Sequence, residues 1–438
     1  MEIAIIASGI LLLLLLTIKF KLNAFIAFII VSLYVGIALG MELQSVVTAI
    51  QNGIGNILGF LVLILGLGAM LGKLIADSGA AQRITAKLVE KFGIKNVQWA
   101  VVLTGFIVGI PMFYSVGFVM MIPLVFSIAM STRLPLLYVG LPMLASLSVT
   151  HGYLPPHPAP TALASMFEAN IGKTLIYGII VAIPAIILAG PLFARTIKHI
   201  KASPLKEFYN PVVLEEKDLP SLGASLFTAL LPVLLIIMAT LSDQFVPDDF
   251  VLKEVLVFLG NPVIAMLISV LVAIYTLGLS KGKNMKELMS SLTDSVSSIT
   301  MVLLVISGAG ALKQVLIDSE VSTYIGELAA SSGLSPLILA WLIATVLRVC
   351  VGSATVAGLT TAGIALPLVT QGGTSPELMV LAIGSGSLML SHVNDSGFWM
   401  FKEYFNLSVK DTFRTWTVME TTVGVMGLIG VLVLDLFV

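Results

Sequence analysis

Three of the four histidines in this sequence, His151, His157 and His392, stand in two short polar interruptions of otherwise apolar sequence. The first reads Thr150-His151-Gly152-Tyr153-Leu154-Pro155-Pro156-His157-Pro158, and the second Ser391-His392-Val393-Asn394-Asp395-Ser396-Gly397. Histidine titrates near physiological pH, and unwound carbonyls with a carboxylate can hold a proton or a cation. His151, His157, His392 and Asp395 are therefore the candidates for proton coupling. Two clusters of small residues, Ser115-Val116-Gly117 and Gly352-Ser353-Ala354-Thr355, could present N–H and hydroxyl groups to a carboxylate, as helix N-termini do. Arg348, one helical turn before the second cluster, could pair a substrate carboxylate or be buried against Glu420 of the last helix. The candidate binding set is Ser115, Gly117, His151, Gly152, Arg348, Gly352, Ser353, Thr355, Asn394 and Ser396. Each has a plainer reading: Asp395 as N-cap of a helix starting at Phe398, the prolines as a rigid turn, the small residues as close helix packing.

The elements that position these groups must lie in a bilayer. Of 438 residues, 58% are hydrophobic and only 11% charged, where a soluble domain carries roughly 25% charge. Mean hydropathy is +1.07. A soluble enzyme and a disordered chain are excluded. So is a nucleic-acid binder, because a net charge of −1 lacks the basic footprint. The single Cys350 has no partner for a disulfide or a metal pair. The segment Gly66-Leu67-Gly68-Ala69-Met70-Leu71-Gly72-Lys73-Leu74 fails the phosphate-loop pattern. No HExxH or zinc spacing occurs, so neither cofactor nor metal is expected. Met1–Ile18 is read as a retained first helix, because its basic residues, Lys19 and Lys21, follow the apolar run.

At about 20 apolar residues per crossing, full-length candidates are 2–18, 22–40, 54–76, 174–195, 223–242, 259–279, 296–317 and 412–437. Stretches 97–116 and 117–130 abut through Gly109–Gly117, and 336–351 and 356–370 through Gly352–Thr355. Both pairs, 97–130 and 335–370, read as re-entrant hairpins whose tips protein must shield. Stretches 134–150 and 377–391 stop in the two polar interruptions. They read as broken helices continued by 161–170 and 398–405, spanning 134–170 and 377–405. The expected fold is all-α and polytopic, with about ten crossings plus two hairpins.

With the N- and C-termini outside, nineteen of the 23 basic residues fall on the inner side; Lys173, Lys253, Lys313 and Arg348 do not. The outer loop at Asp243, Asp248 and Asp249 is acidic, as the positive-inside rule allows. Leu71–Ser78 (LGKLIADS) matches Leu312–Ser319 (LKQVLIDS) 241 residues later, and Ser146–His151 matches Ser387–His392 at the same offset. Residues 1–200 and 223–438 thus read as two repeats joined by a cytoplasmic linker, 201–222. An odd number of crossings in each makes the second copy inverted. Inverted repeats with paired broken helices mark a secondary transporter, its site where the breaks meet.

The two interruptions, with Gly140-Leu141-Pro142-Met143 and Val351-Gly352-Ser353-Ala354-Thr355-Val356-Ala357-Gly358, resemble the gluconate permease (gluconate:H⁺ symporter) family over essentially the whole chain. The resemblance implies an inner-membrane symporter of the ion-transporter superfamily, whose members are dimers in which a hairpin-bearing domain moves as an elevator. It leaves the substrate open among gluconate, D-serine, glycerate and other short hydroxy acids. The partners it implies are a small carboxylate, protons, the lipid bilayer and a second copy of the chain. An intramembrane hydrolase using His151, His157 and Asp395 and a passive channel are the competing readings.

Overall fold

The computed structural model describes residues 2–203, 214–247, 250–319, 333–370 and 373–438, and all its regular structure is helical. Lys206, Asp248, Asp249 and part of the 201–222 linker lie outside the described residues. In chain order the first half has α1 (Glu2–Leu14), α2 (Ala24–Ala38), α3 (Leu43–Asp77), α4 (Ala80–Phe92), α5 (Val97–Gly109), α6 (Tyr114–Thr132), α7 (Leu136–Tyr153), α8 (Pro158–Met166) and α9 (Ile171–Thr196). There follow α10 (Leu222–Phe245), α11 (Val251–Leu259), α12 (Pro262–Lys281), α13 (Met285–Asp318), α14 (Pro336–Val351), α15 (Ala354–Thr370), α16 (Pro376–Gly386), α17 (Ser396–Tyr404) and α18 (Val409–Leu434). Among the described residues seven helices are long and apolar enough to cross a membrane, or eight if α4 and α5 count as one bent span.

Several boundaries differ from the hydropathy reading, each for a physical reason. The spans expected at 54–76 and 296–317 begin at Leu43 and Met285. Their first turns are amphipathic rather than apolar, and α13 opens on a capping box formed by Asn284 and Glu287. The charged stretch after Asp77, read as an inner loop, contains α4, bent by 112° from the helical segment that follows. It buries Ala80, Ala81, Ile84 and Thr85 and exposes Glu90 and Lys91, while Arg83 bonds the Pro220 carbonyl and Glu216. The arm expected at 117–130 starts at Tyr114 and, at 19 residues, is itself long enough to cross. Ser115 and Gly117 consequently sit in its first turns rather than in the connection, which is Ile110–Phe113. The helix expected to reach residue 391 stops at Gly386, where Gly384-Ser385-Gly386-Ser387 disfavours helix.

The centre of the molecule is built from α7 and α16. Every residue from Leu378 to Gly386 is buried, as is nearly all of α7, and a helix apolar on all sides belongs inside. α5 and α9 pack on α7; α14 and α18 pack on α16. The Tyr153 hydroxyl donates to the Val423 carbonyl at 2.5 Å and the Trp341 indole N–H to that of Gly424 at 3.1 Å, tying α7 and α14 to α18. To one side, the two longest helices, α3 and α13, lie along each other. They meet at Gly53 and Gly310, where a Cβ on either would collide with the other's carbonyl oxygen. Such close approach through small residues is how helices associate where lipid supplies no hydrophobic drive.

Candidate functional site

The first residues of four helices, Tyr114 of α6, Pro158 of α8, Ala354 of α15 and Ser396 of α17, line one cavity of about 320 Å³. Each helix start follows one of the breaks flagged in the sequence. Backbone N–H groups of a first turn have no intrahelical partner, and the helix dipole is positive there. Four such ends around one space favour an anion, although α8, with Pro158 and Pro160 in its first turn, adds mainly its dipole. The volume matches the lower range of small-molecule pockets.

On the second-half side, α14 ends at Gly352, whose φ of +78° only glycine adopts without strain. A Cβ there would strike the Asn394 carbonyl. This close approach lets the break between α16 and α17 fold onto the end of α14. His392 Nε2 meets the Val349 carbonyl at 3.0 Å, and the Asn394 amide donates to the same oxygen at 2.7 Å and to Cys350 at 3.3 Å. Arg348 donates through Nη1 to the Gly352 carbonyl and through Nη2 to Asp395 Oδ2. It pairs with Asp395, therefore, and not with Glu420. Asp395 Oδ2 also accepts from the Ser391 hydroxyl, while Oδ1 accepts from the Gly397 N–H at 3.0 Å. The helix that Asp395 caps starts at Ser396, two residues earlier than expected. The ion pair is 4% and 13% exposed, deep enough that removing one partner strands a charge.

On the first-half side the ties are uncharged. His157 Nε2 lies 2.8 Å from the Gly109 carbonyl, which can only accept, so Nε2 carries the proton. The His151 ring packs between Tyr114 and His157, with centroids 5.4 and 5.5 Å away, and its buried Nδ1 has no hydrogen-bond partner.

Of the residues singled out in the sequence, Ser115, His151, Arg348, Gly352, Ser353, Thr355, Asp395 and Ser396 line the cavity. Gly117, Gly152, His157, His392 and Asn394 do not line it. The Gly117 N–H is bonded to the Phe113 carbonyl at 2.8 Å, and Gly152 packs beneath Leu388. The cavity wall also includes Tyr114, Ser148, Trp416 and Glu420. Tyr114 belongs to the Gly109–Gly117 break and Ser148 to the Ser146–His151 repeat match, though neither is singled out there; Glu420 is marked as a carboxylate in an apolar span, and Trp416, in the same last helix, by nothing. A wider cavity of about 840 Å³, lined by Lys73, Asp77 and Lys283 among others, shares Ser115 with the first. Among the described residues no group of three or more His, Cys, Asp or Glu is placed to hold a metal ion.

Seven or more apolar helices define a multi-pass membrane protein, and the polar, helix-end-lined cavity is its candidate solute site. The profile of the GntP family permeases matches residues 1–437, and the chain belongs to that family. It is 52% identical, over the full length of both chains, to the "High-affinity gluconate transporter" of Escherichia coli (strain K12). It is 51% identical to the "Gnt-II system L-idonate transporter" of the same organism, across 99% of each chain, and 50% identical to the "Gluconate permease" of Bacillus subtilis (strain 168), again over full length. Among solved structures, the Alcanivorax borkumensis YdaH transporter superposes with a TM-score of 0.65 at 18% identity, covering 94% of this chain and 96% of its own. Neisseria gonorrhoeae MtrF gives 0.64 at 17% identity, covering 94% and 93%. These two likenesses establish the fold. The named relatives are permeases and transporters, and the chain is a permease rather than an enzyme.

Proposed function

We propose that this permease is a secondary active transporter that imports gluconate or a closely related hydroxy acid together with protons. The observation that carries the reading is the convergence of four helix N-termini and Arg348 on one cavity. The substrate carboxylate would lie against the N–H groups at Ala354 and Thr355 and the guanidinium of Arg348. Its hydroxyls would meet Ser115, Ser353, Thr355 and Ser396. Relatives named for gluconate and for L-idonate at about equal identity favour a six-carbon sugar acid over D-serine or glycerate.

The same reading includes two inverted repeats and an elevator movement. α3 and α13 end 241 residues apart, at Asp77 and Asp318, each with a serine C-cap. In each half a long helix is followed by a helix pair, a broken helix and a closing span. In this reading α5–α6 and α14–α15 are the re-entrant hairpins of repeats 1–200 and 223–438, and the helices around α7 and α16 move against α3 and α13. A homodimer in the inner membrane, both termini outside, completes it, supported by nineteen basic residues on one side.

Purified protein in proteoliposomes tests the substrate and the coupling ion together. Labelled gluconate should accumulate saturably under an inward acid gradient and emerge chemically unchanged. Unlabelled L-idonate should compete better than glycerate or D-serine. Accumulation driven by sodium alone, or gradient-independent equilibration, would overturn proton symport.

A further inference from the structure

Glu420 is the carboxyl group in the cavity that has no cation. It sits on α18, is 2% exposed, and takes one hydrogen bond, from the Ser148 hydroxyl of α7 to Oε1. Its Oε2 is buried without a partner, and no ion pair involves it among the described residues. Asp395 differs on each count: one oxygen accepts from Arg348 and Ser391, and the other caps α17. A buried carboxylate charge with neither cation nor full hydrogen bonding is strongly disfavoured, so this position calls for a proton or a compensating charge. Glu420 lines the cavity, so a change in what fills that cavity acts on it directly.

We propose that Glu420 is the group that binds the transported proton, with Ser148 holding its second oxygen. This rests on the proton-coupled reading above and names the coupling residue. The groups facing Glu420 are Tyr114 on α6, Ser148, His151 and Tyr153 on α7, Arg348 on α14 and Asp395 in the second break, with Trp416 on its own helix; the Tyr153 hydroxyl is spent on the Val423 carbonyl. Arg348 and Asp395 neutralise each other. The two ring nitrogens that bond main-chain carbonyls, on His157 and His392, are taken up in holding the breaks. A substrate carboxylate entering beside an ionised Glu420 would add a second uncompensated negative charge to a buried space. With a proton taken up from the outer aqueous phase onto Oε2, the entering anion leaves the net charge of the site as it was. Substrate and proton therefore favour each other's binding, and linkage makes the preference reciprocal. Release of the proton to water on the inner side restores the carboxylate and expels the anion.

The test uses the full chain in proteoliposomes and labelled gluconate. Glu420→Gln should lose acid-gradient accumulation by about tenfold or more and keep counterflow exchange. Gluconate affinity, read by titration calorimetry, should fall as pH rises in the wild type and should change little with pH in this variant. Glu420→Asp should restore part of the accumulation. Wild-type accumulation by Glu420→Gln would overturn the assignment. If that variant loses exchange as well, Ser148→Ala decides: a displaced pH profile supports the role, and an unmoved one refutes it. Counterflow without accumulation in Asp395→Asn, paired with an unmoved Ser148→Ala profile, would transfer the role to Asp395. Wild-type protein that ignores the proton gradient would overturn proton symport itself, an outcome distinct from all of these.

Discussion

The two breaks are tied to the helix pairs beside them in different ways. In the first half, His157 reaches the carbonyl of Gly109 at the end of α5, and no charged group joins in. In the second, the end of α14 is gripped by His392, Asn394 and the Arg348–Asp395 pair, with Ser391, Trp416 and Thr417 bonded behind them. Both solve one problem: non-helical backbone at membrane depth must find partners within the protein. The second solution also puts a guanidinium at the cavity wall. The first supplies neutral polar groups, Ser115, Ser148 and His151. In the proposed reading, ligand charge is recognised chiefly from the second half, while the first half sets the shape and polarity around it.

The largest test of that asymmetry is Arg348→Gln. It leaves Asp395 buried without its cation, a loss of about 3–5 kcal/mol by analogy with other broken buried pairs. Gluconate transport should fall to background, and thermal unfolding in detergent should shift sharply downward. No single substitution on the first-half side should do as much. Retained uptake would show that substrate charge is met by the helix ends alone.

A smaller contrast compares the glycines that end the first arms. Gly352→Ala requires a positive φ, costing of order 1–3 kcal/mol, and drives the new methyl into the Asn394 carbonyl, backbone that cannot turn aside. Gly109→Ala keeps helical geometry and meets the Thr150 hydroxyl at 2.7 Å, a side chain that can rotate. Uptake should drop severely in the first variant and moderately in the second. Equal losses would mean that both connections are equally rigid.

Much of this arrangement is legible in the sequence, and the rest is hidden for definable reasons. Gly352, Pro155–Pro156 and the His392–Gly397 run interrupt apolar stretches, and an interruption in a membrane span is visible one residue at a time. Pairing across the chain is not. Ser148 and Glu420 lie 272 residues apart, each inside a helix whose hydropathy is unremarkable. Arg348 and Asp395 are each candidates in the sequence, yet the sequence offers Arg348 only a substrate carboxylate or Glu420, and nothing in the spacing points to Asp395, 47 residues on. The amphipathic openings of α3 and α13 escaped because a hydropathy window registers lipid-facing apolarity, whereas those turns lie partly against protein and partly exposed. The Gly53–Gly310 contact escaped because small residues are frequent throughout the chain.

The finest distinction lies between the histidines. His157 shares the Gly109 carbonyl with the Met112 N–H at 3.3 Å, but its ring is 3% exposed, so His157→Ala removes a hydrogen bond and empties a buried position, a penalty of about 1–3 kcal/mol. The Val349 carbonyl is held by both His392 and Asn394. Losing the partly buried His392 ring leaves that oxygen bonded and opens less of a cavity, so His392→Ala should cost less than His157→Ala, by about 1 kcal/mol. The redundancy has its own signature: His392→Ala and Asn394→Ala together should cost more than the sum of the two alone, because only the double variant strands the carbonyl. Additive losses in thermal unfolding would mean that the two side chains act separately, and that the second break is no better secured than the first.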